Sequence, residues 1–225
     1  MYEKFGQFID GNWSPSSNKE TYEVINPATE EVLGHASKAT SADVERALKS
    51  AEKGLQVWKK TPPWQRSNIL RKIADKIREK KDVFAKWMTF ENGKPLAEGV
   101  GETNGAADIF EWNAEETKRI YGQTIESRVE DTRGHVYYQP VGVVAALSPW
   151  NFPLILAARK ISTALGAGCS VIIKPDTITP GVVMELVDIC RECGVPPGAV
   201  NLLSGDPPSI ASQLIQSDII KKISI

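Results

Sequence analysis

Apolar positions recur at helical spacing through the first half of the chain. Over residues 41–59, Val44, Ala47, Leu48, Ala51, Leu55 and Trp58 share one face behind a Thr40-x-x-Asp43 capping signal. Residues 63–81 repeat the pattern with Ile69, Leu70, Ile73, Ala74 and Ile77, opening at Pro62-Pro63. A third helix over 82–91 stops at Asn92-Gly93, and a fourth covers about 97–120. Ahead of them, "FGQFIDGNW" predicts a hairpin turning at Asp10-Gly11, and "VINPATEEVLGHAS" a second strand-turn-strand unit. After them, the alternation in "SRVEDTRGHVYYQP" predicts a two-stranded excursion with its turn near Asp131 to Gly134.

From residue 141 the period changes. "VGVVAAL", "CSVIIK", "AVNLLSG" and "KKISI" are short apolar runs rich in β-branched residues, with helical segments at 153–166, 180–193 and 207–216 between them. Continuous apolar strands alternating with helices predict a parallel sheet covered on both faces, an α/β fold of Rossmann-like type. Ligands bind such sheets at the carboxyl ends of the strands. Three loops lie there: "SPWNFP", "KPDTITP" and "SGDPPS". The glycine-rich GxGxxG fingerprint is absent after the first of these strands, so a standard dinucleotide site is not supported.

Composition narrows the function classes. The 225 residues are 41% hydrophobic and 24% charged with net charge −1, which removes the electrostatic case for nucleic acid or a membrane surface as partner. No run approaches a membrane span, "MYEKFGQFIDG" has no signal-peptide core, and a cytoplasmic location is expected. Three cysteines, Cys169, Cys190 and Cys193, do not make a disulfide framework. The CxxC pair sits at a helix end rather than a helix start, and reads as structural. His35 and His135 are far apart, and no metal site is indicated.

The stretch "ALSPWNFPL" isolates one amide, Asn151, between Trp150 and Phe152, with Pro149 and Pro153 fixing the backbone on either side. Asn151 is either an Asx-type cap for the helix that follows or a group aimed at a ligand. Together with "ALGAGCSVIIKPDTITP" and "GVPPGAVNLLSGD", the run "PWNFP" resembles the aldehyde dehydrogenase superfamily. The match extends back through "FIDGNW" and "INPATEEVLGHAS" and covers essentially the whole chain. "EWNAEETKRIYG" and "AARKISTALGAG" resemble the succinate-semialdehyde dehydrogenase branch.

The resemblance implies NAD or NADP as cofactor, with NADP tolerated, and a small-molecule aldehyde as substrate, succinic semialdehyde being favoured. It implies that residues 1–121 are the first part of a cofactor-binding domain, 122–139 an oligomerisation hairpin, and 140–225 a truncated cofactor-binding core. A homo-oligomer is expected of the complete enzyme. Asn151 would hold the oxyanion formed during aldehyde oxidation, as a fixed neutral donor can. Ser148, Pro149 and Trp150 would line the cofactor. Lys174, with Pro175, Asp176 and Thr177, would meet the adenosine ribose, and Gly205 would border the same site. By residue type alone, Lys174 also reads as a solvated strand end and Thr177 as an unliganded threonine before a helix. Thr177 stands where many members carry glutamate; a hydroxyl does not repel a 2′-phosphate. Arg159 would reach a distal substrate carboxylate through its planar fork, or is a surface arginine beside Lys160. Family chains run to about twice this length, with the glutamate base and cysteine nucleophile beyond "KKISI". The chain alone is therefore expected to be inactive, either as the front part of a semialdehyde dehydrogenase or as a non-catalytic cofactor-binding or interaction protein.

Overall fold

In the computed structural model, which describes residues 2–225, the hairpin expected at Asp10-Gly11 is strands β1 (Gln7–Ile9) and β2 (Asn12–Ser14). Both turn residues take positive φ, 52° and 80°, the conformation that matches a two-residue turn to the twist of its strands. β3 (Thr21–Ile25) and β4 (Val32–Ser37) form a separate antiparallel ribbon.

Four helices follow: α1 (Ser41–Trp58), α2 (Pro63–Glu79), α3 (Lys81–Asn92) and α4 (Leu96–Thr117). The Thr40–Asp43 capping box forms at α1, each side chain accepting the other residue's N–H. α3 ends at Gly93, whose φ of 75° only glycine adopts without strain. α4 closes earlier than residue 120, because Lys118 and Arg119 bond back to Glu115 and Glu116 in tight three-residue turns. β5 (Gln123–Glu126) and β6 (Arg133–Val136) make the expected excursion. Its connection is residues 127–132 rather than 131–134: Arg133 and Gly134 are already paired with Glu126 and Ile125.

The remaining elements alternate: β7 (Val143–Leu147), α5 (Pro153–Gly166), β8 (Ser170–Lys174), α6 (Pro180–Glu192), β9 (Val200–Leu202), α7 (Pro207–Gln216) and β10 (Ile220–Ser224). The sheet runs β10-β7-β8-β9-β1-β2, with the first four strands parallel. The sheet is therefore mixed rather than wholly parallel. The opening hairpin returns from the far end of the chain and pairs antiparallel, Phe8 against Leu202.

Alternate residues of each strand serve opposite layers. Val144, Ala146, Val171 and Ile173 pack with α2 to α6, whereas Val143, Ala145 and Ile172 pack with α1 and α7. α1 lies directly on the loop before β9. A Cβ on Gly54 would stand 2.1 Å from the Gly198 carbonyl carbon, so only glycine allows this approach. Among the described residues no helix is long and apolar enough to cross a membrane.

Two buried carboxylates start the helices that follow β7 and β8. Neither α5 nor α6 has a side-chain cap from its own N-cap residue, which leaves first-turn N–H groups needing acceptors. Glu91, on the apolar face of α3 with Phe84, Trp87 and Met88, accepts the N–H groups of Gly181 (2.6 Å) and Val182 (3.1 Å) and the Tyr2 hydroxyl. Glu102 of α4 accepts those of Leu154 (2.9 Å) and Ile155 (3.1 Å). A carboxylate at a helix start also meets the positive end of the helix dipole.

Burial raises the Glu91 carboxyl to about 7 from 4.5, against the opposing pull of the Tyr2 hydroxyl and the two N–H donors. A raised folded-state value means that the folded chain holds a proton the unfolded chain releases. The associated stability is fully present below about 4.5 and is lost as pH rises to about 7. Glu91→Gln keeps a carbonyl acceptor but has no proton to lose. Urea denaturation across this window should show wild type losing stability relative to Glu91→Gln as pH rises, with a constant difference above it. Parallel pH profiles for the two proteins would contradict the assignment.

Candidate functional site

The loops after β7, β8 and β9 leave the sheet side by side. Leu147 pairs with Lys174 and Ile173 with Leu202, and the ladder continues as Ser148 N–H donates to the Lys174 carbonyl (3.0 Å) and Leu203 N–H to that of Ile173 (3.0 Å). Ser148, Pro149, Trp150 and Asn151, then Lys174, Pro175, Asp176 and Thr177, and finally Gly205, thus share one edge of the sheet.

Asn151 is exposed, and among the described residues its side chain has no intramolecular hydrogen bond. The N-cap of α5 is Phe152, and the first-turn N–H groups belong to Glu102, so Asn151 does not cap the helix. Its backbone, in contrast, is held. Asn92 Nδ2 donates to the Trp150 carbonyl (3.0 Å), and Lys94 Nζ donates to the Asn151 carbonyl (3.3 Å). Lys94 also pairs with Glu102 and stands 4.2 Å over the Phe152 ring.

Lys174 is only 5% exposed, which excludes the solvated strand end. Its ammonium has no hydrogen-bond or ion-pair partner among the described residues. Burial lowers its pKa, while Asp176 and Asp206 act the other way. Asp176 accepts the Ile178 N–H (3.2 Å) in a turn that shapes the loop around half-buried Thr177. Ser148 Oγ and Thr179 Oγ1 are buried without partners. Unpaired buried hydroxyls are uncommon in folded proteins. Lys174 alone leaves an unpaired donor at these loops that a hydroxyl-bearing ligand could engage.

The loop after β9 is fixed from below. Gln7 Nε2 donates to the carbonyls of Ser37 (3.1 Å) and Ser204 (3.0 Å), while its Oε1 accepts the Ser204 N–H (2.8 Å). Tyr22 Oη and Ser204 Oγ are 2.7 Å apart. Gly205, at φ 142°, has no room for a side chain: a Cβ would lie 2.8 Å from the Ala39 nitrogen.

Arg159 stands apart from this edge, six residues into α5, or about 9 Å along the helix. It is exposed and lines a cleft of about 500 Å³ between α5 and β10. The cleft contains Arg159, Lys160 and Lys222 and no aspartate or glutamate, with Val144, Leu156 and Ile225 among its apolar lining. Burial, and then repulsion from Arg159, lowers the Lys160 pKa. Cys169 and Cys190 are buried and Cys193 half-buried; burial raises the thiol pKa of Cys190 and Cys193, the opposite of what a nucleophile needs. Among the described residues no group of metal-ligating side chains forms.

Sequence reasoning passed over Glu91, Asn92, Lys94, Glu102 and Gln7. The signal for the two glutamates is positional: each falls on the buried stripe of its helix, where a carboxylate belongs only if something there needs an acceptor.

The sequence model of the aldehyde dehydrogenase family matches residues 13–225. A glutarate-semialdehyde dehydrogenase of Pseudomonas putida is 40% identical over 217 residues, which are 96% of this chain and 45% of that protein. The NADP(+) succinate-semialdehyde dehydrogenase GabD of Escherichia coli is 38% identical over 216 residues, again 96% and 45%. A crystal structure of a Staphylococcus aureus betaine aldehyde dehydrogenase point mutant in complex with NAD+ superposes with a TM-score of 0.95 at 33% identity, covering 98% of this chain and 45% of that one. The chain thus spans a little under half the length of these relatives, and it belongs to the aldehyde dehydrogenase family.

Proposed function

We propose that this chain is the cofactor-binding front part of an NAD(P)-dependent dehydrogenase that oxidises a semialdehyde bearing a distal carboxylate. The observation that carries this reading is Asn151: an exposed side-chain amide that caps nothing, on a backbone anchored from two directions. Family membership and the semialdehyde relatives set the reaction class.

Lys174 donates to the ribose hydroxyls of the dinucleotide, and Thr177 faces the 2′ position. Ser148, Pro149 and Trp150 line the cofactor from the neighbouring loop, and Gly205 lets the third loop approach. The bound nicotinamide supplies the hydride acceptor. Asn151 Nδ2 donates to the former carbonyl oxygen as negative charge develops on it, when a thiol from the part of the relatives' length outside this chain adds to the aldehyde carbon. Arg159, in a cleft shared with Lys160 and Lys222 and lined by no Asp or Glu side chain, holds the substrate's far carboxylate. The exposed β5–β6 hairpin, followed by exposed Tyr137 and Tyr138, pairs with a second copy in the complete enzyme.

Three measurements on a full-length enzyme carrying this sequence check these roles. Asn151→Ala should lower kcat by about 10²–10³, the loss typical of one oxyanion donor; an unchanged kcat would remove the oxyanion role. Arg159→Leu should raise KM for a carboxylate-bearing semialdehyde about 10- to 100-fold and leave an uncharged aldehyde of equal length nearly unaffected. Equal effects on both substrates would make Arg159 structural. Wild type should accept NADP at least as well as NAD, and Thr177→Glu should shift the kcat/KM ratio toward NAD. A unit like-charge pair at 4 Å costs about 4 kcal/mol at a surface-like dielectric, so even a quarter of this changes the ratio several-fold. An unchanged ratio would show that residue 177 does not face the ribose.

A further inference from the structure

Glu91, Asn92 and Lys94, at and just beyond the end of α3, reach the start of α6 and the loop after β7. Glu91 receives the first N–H groups of α6, directly after the Lys174 loop. One residue later, Asn92 Nδ2 holds the Trp150 carbonyl at 3.0 Å. Lys94 Nζ, two residues on, holds the Asn151 carbonyl at 3.3 Å and stands over the Phe152 ring. Its charge is balanced by Glu102, whose other oxygen takes the N–H groups of Leu154 and Ile155. The Lys94 and Glu102 side chains are 8% and 2% exposed, so the pair is screened little by solvent. The backbone of residues 150–152 and the start of α5 are therefore fixed by a preorganised set of donors and acceptors from another layer of the fold. Without it, Pro149 and Pro153 would restrict two φ angles and leave the peptides between them free to rotate.

We infer that Asn92, Lys94 and Glu102 are positioning residues that aim the Asn151 amide, acting through the backbone of residues 150–155 and touching neither substrate nor cofactor. This rests on the reading of Asn151 as the oxyanion donor. Displacing a catalytic donor by about 1 Å can cost two orders of magnitude in rate without altering ligand affinity.

Two variants separate positioning from folding. Asn92→Ala removes a single half-buried donor. The double variant Lys94→Met/Glu102→Gln removes the charge pair together, so no ion is left buried alone, and keeps a carbonyl to accept the N–H groups of α5. In the 225-residue chain, NMR of the Asn151 side-chain amide should give one narrow signal pair in wild type and broadened or doubled signals in both variants, with the Thr177 signals unmoved. Unchanged Asn151 signals in both variants would overturn the inference.

In a full-length enzyme carrying this sequence, each variant should lower kcat about 10- to 100-fold, a larger change than in KM for the dinucleotide. In an Asn151→Ala background the same substitutions should cause no further loss, because two changes acting through one group do not add. Equal losses in both backgrounds would also overturn it. An Asn151→Ala enzyme with undiminished kcat would instead remove the oxyanion reading, and the amide spectra would still decide whether the clamp orders residue 151.

Discussion

Helices α5 and α6 begin without caps of their own, and two carboxylates buried in the helical layer beside the sheet supply the missing acceptors. This requirement ties the molecule together. A helix start inside a protein exposes several N–H groups at the positive end of a dipole, and leaving them unpaired costs more than most single contacts return. Glu91 and Glu102 meet that need, and in doing so they lock α3 and α4 onto two of the three crossovers of the parallel sheet. The Tyr2 hydroxyl joins Glu91, so the start of the chain is fastened at the same point.

Function grows from the same contacts. A parallel sheet delivers its loops to one edge, but edge position alone does not fix a side chain to a few tenths of an ångström. Here the loop after β7 is held by Asn92 and Lys94, the loop after β8 is followed by a helix held by Glu91, and the loop after β9 is held by Gln7. Each anchor comes from an element outside the crossover it stabilises. Asn151 and Lys174, whose side chains no neighbour engages, are among the residues that the family reading gives to the ligand.

Most of the element order was legible from the chain, because amphipathic helices and apolar strands announce themselves by period. The Thr40–Asp43 box and the Asp10-Gly11 turn carry local chemistry and appeared where expected. What could not be read was long-range. Nothing near Phe8 says that it pairs with Leu202, and nothing in "FENGK" says that its glutamate and lysine serve different helices. The site loops were visible because proline and glycine mark them and strand ends locate them. Whether Asn151 capped α5 was undecidable from sequence, since the competing cap, Glu102, lies in a different helix. Arg159 was legible as a residue but not as a place: helical rise carries it down the flank, into a cleft whose charge comes partly from Lys222 on β10.

The central claim is that three loops at one sheet edge form a nicotinamide dinucleotide site in this chain. Chemical-shift mapping of the 225-residue protein during titration with NADP+ tests it most directly. The account predicts saturable shifts centred on Ser148–Asn151, Lys174–Thr177 and Gly205, abolished by Lys174→Ala while the rest of the spectrum stays native. Shifts confined to another surface, or persisting unchanged in Lys174→Ala, would contradict it.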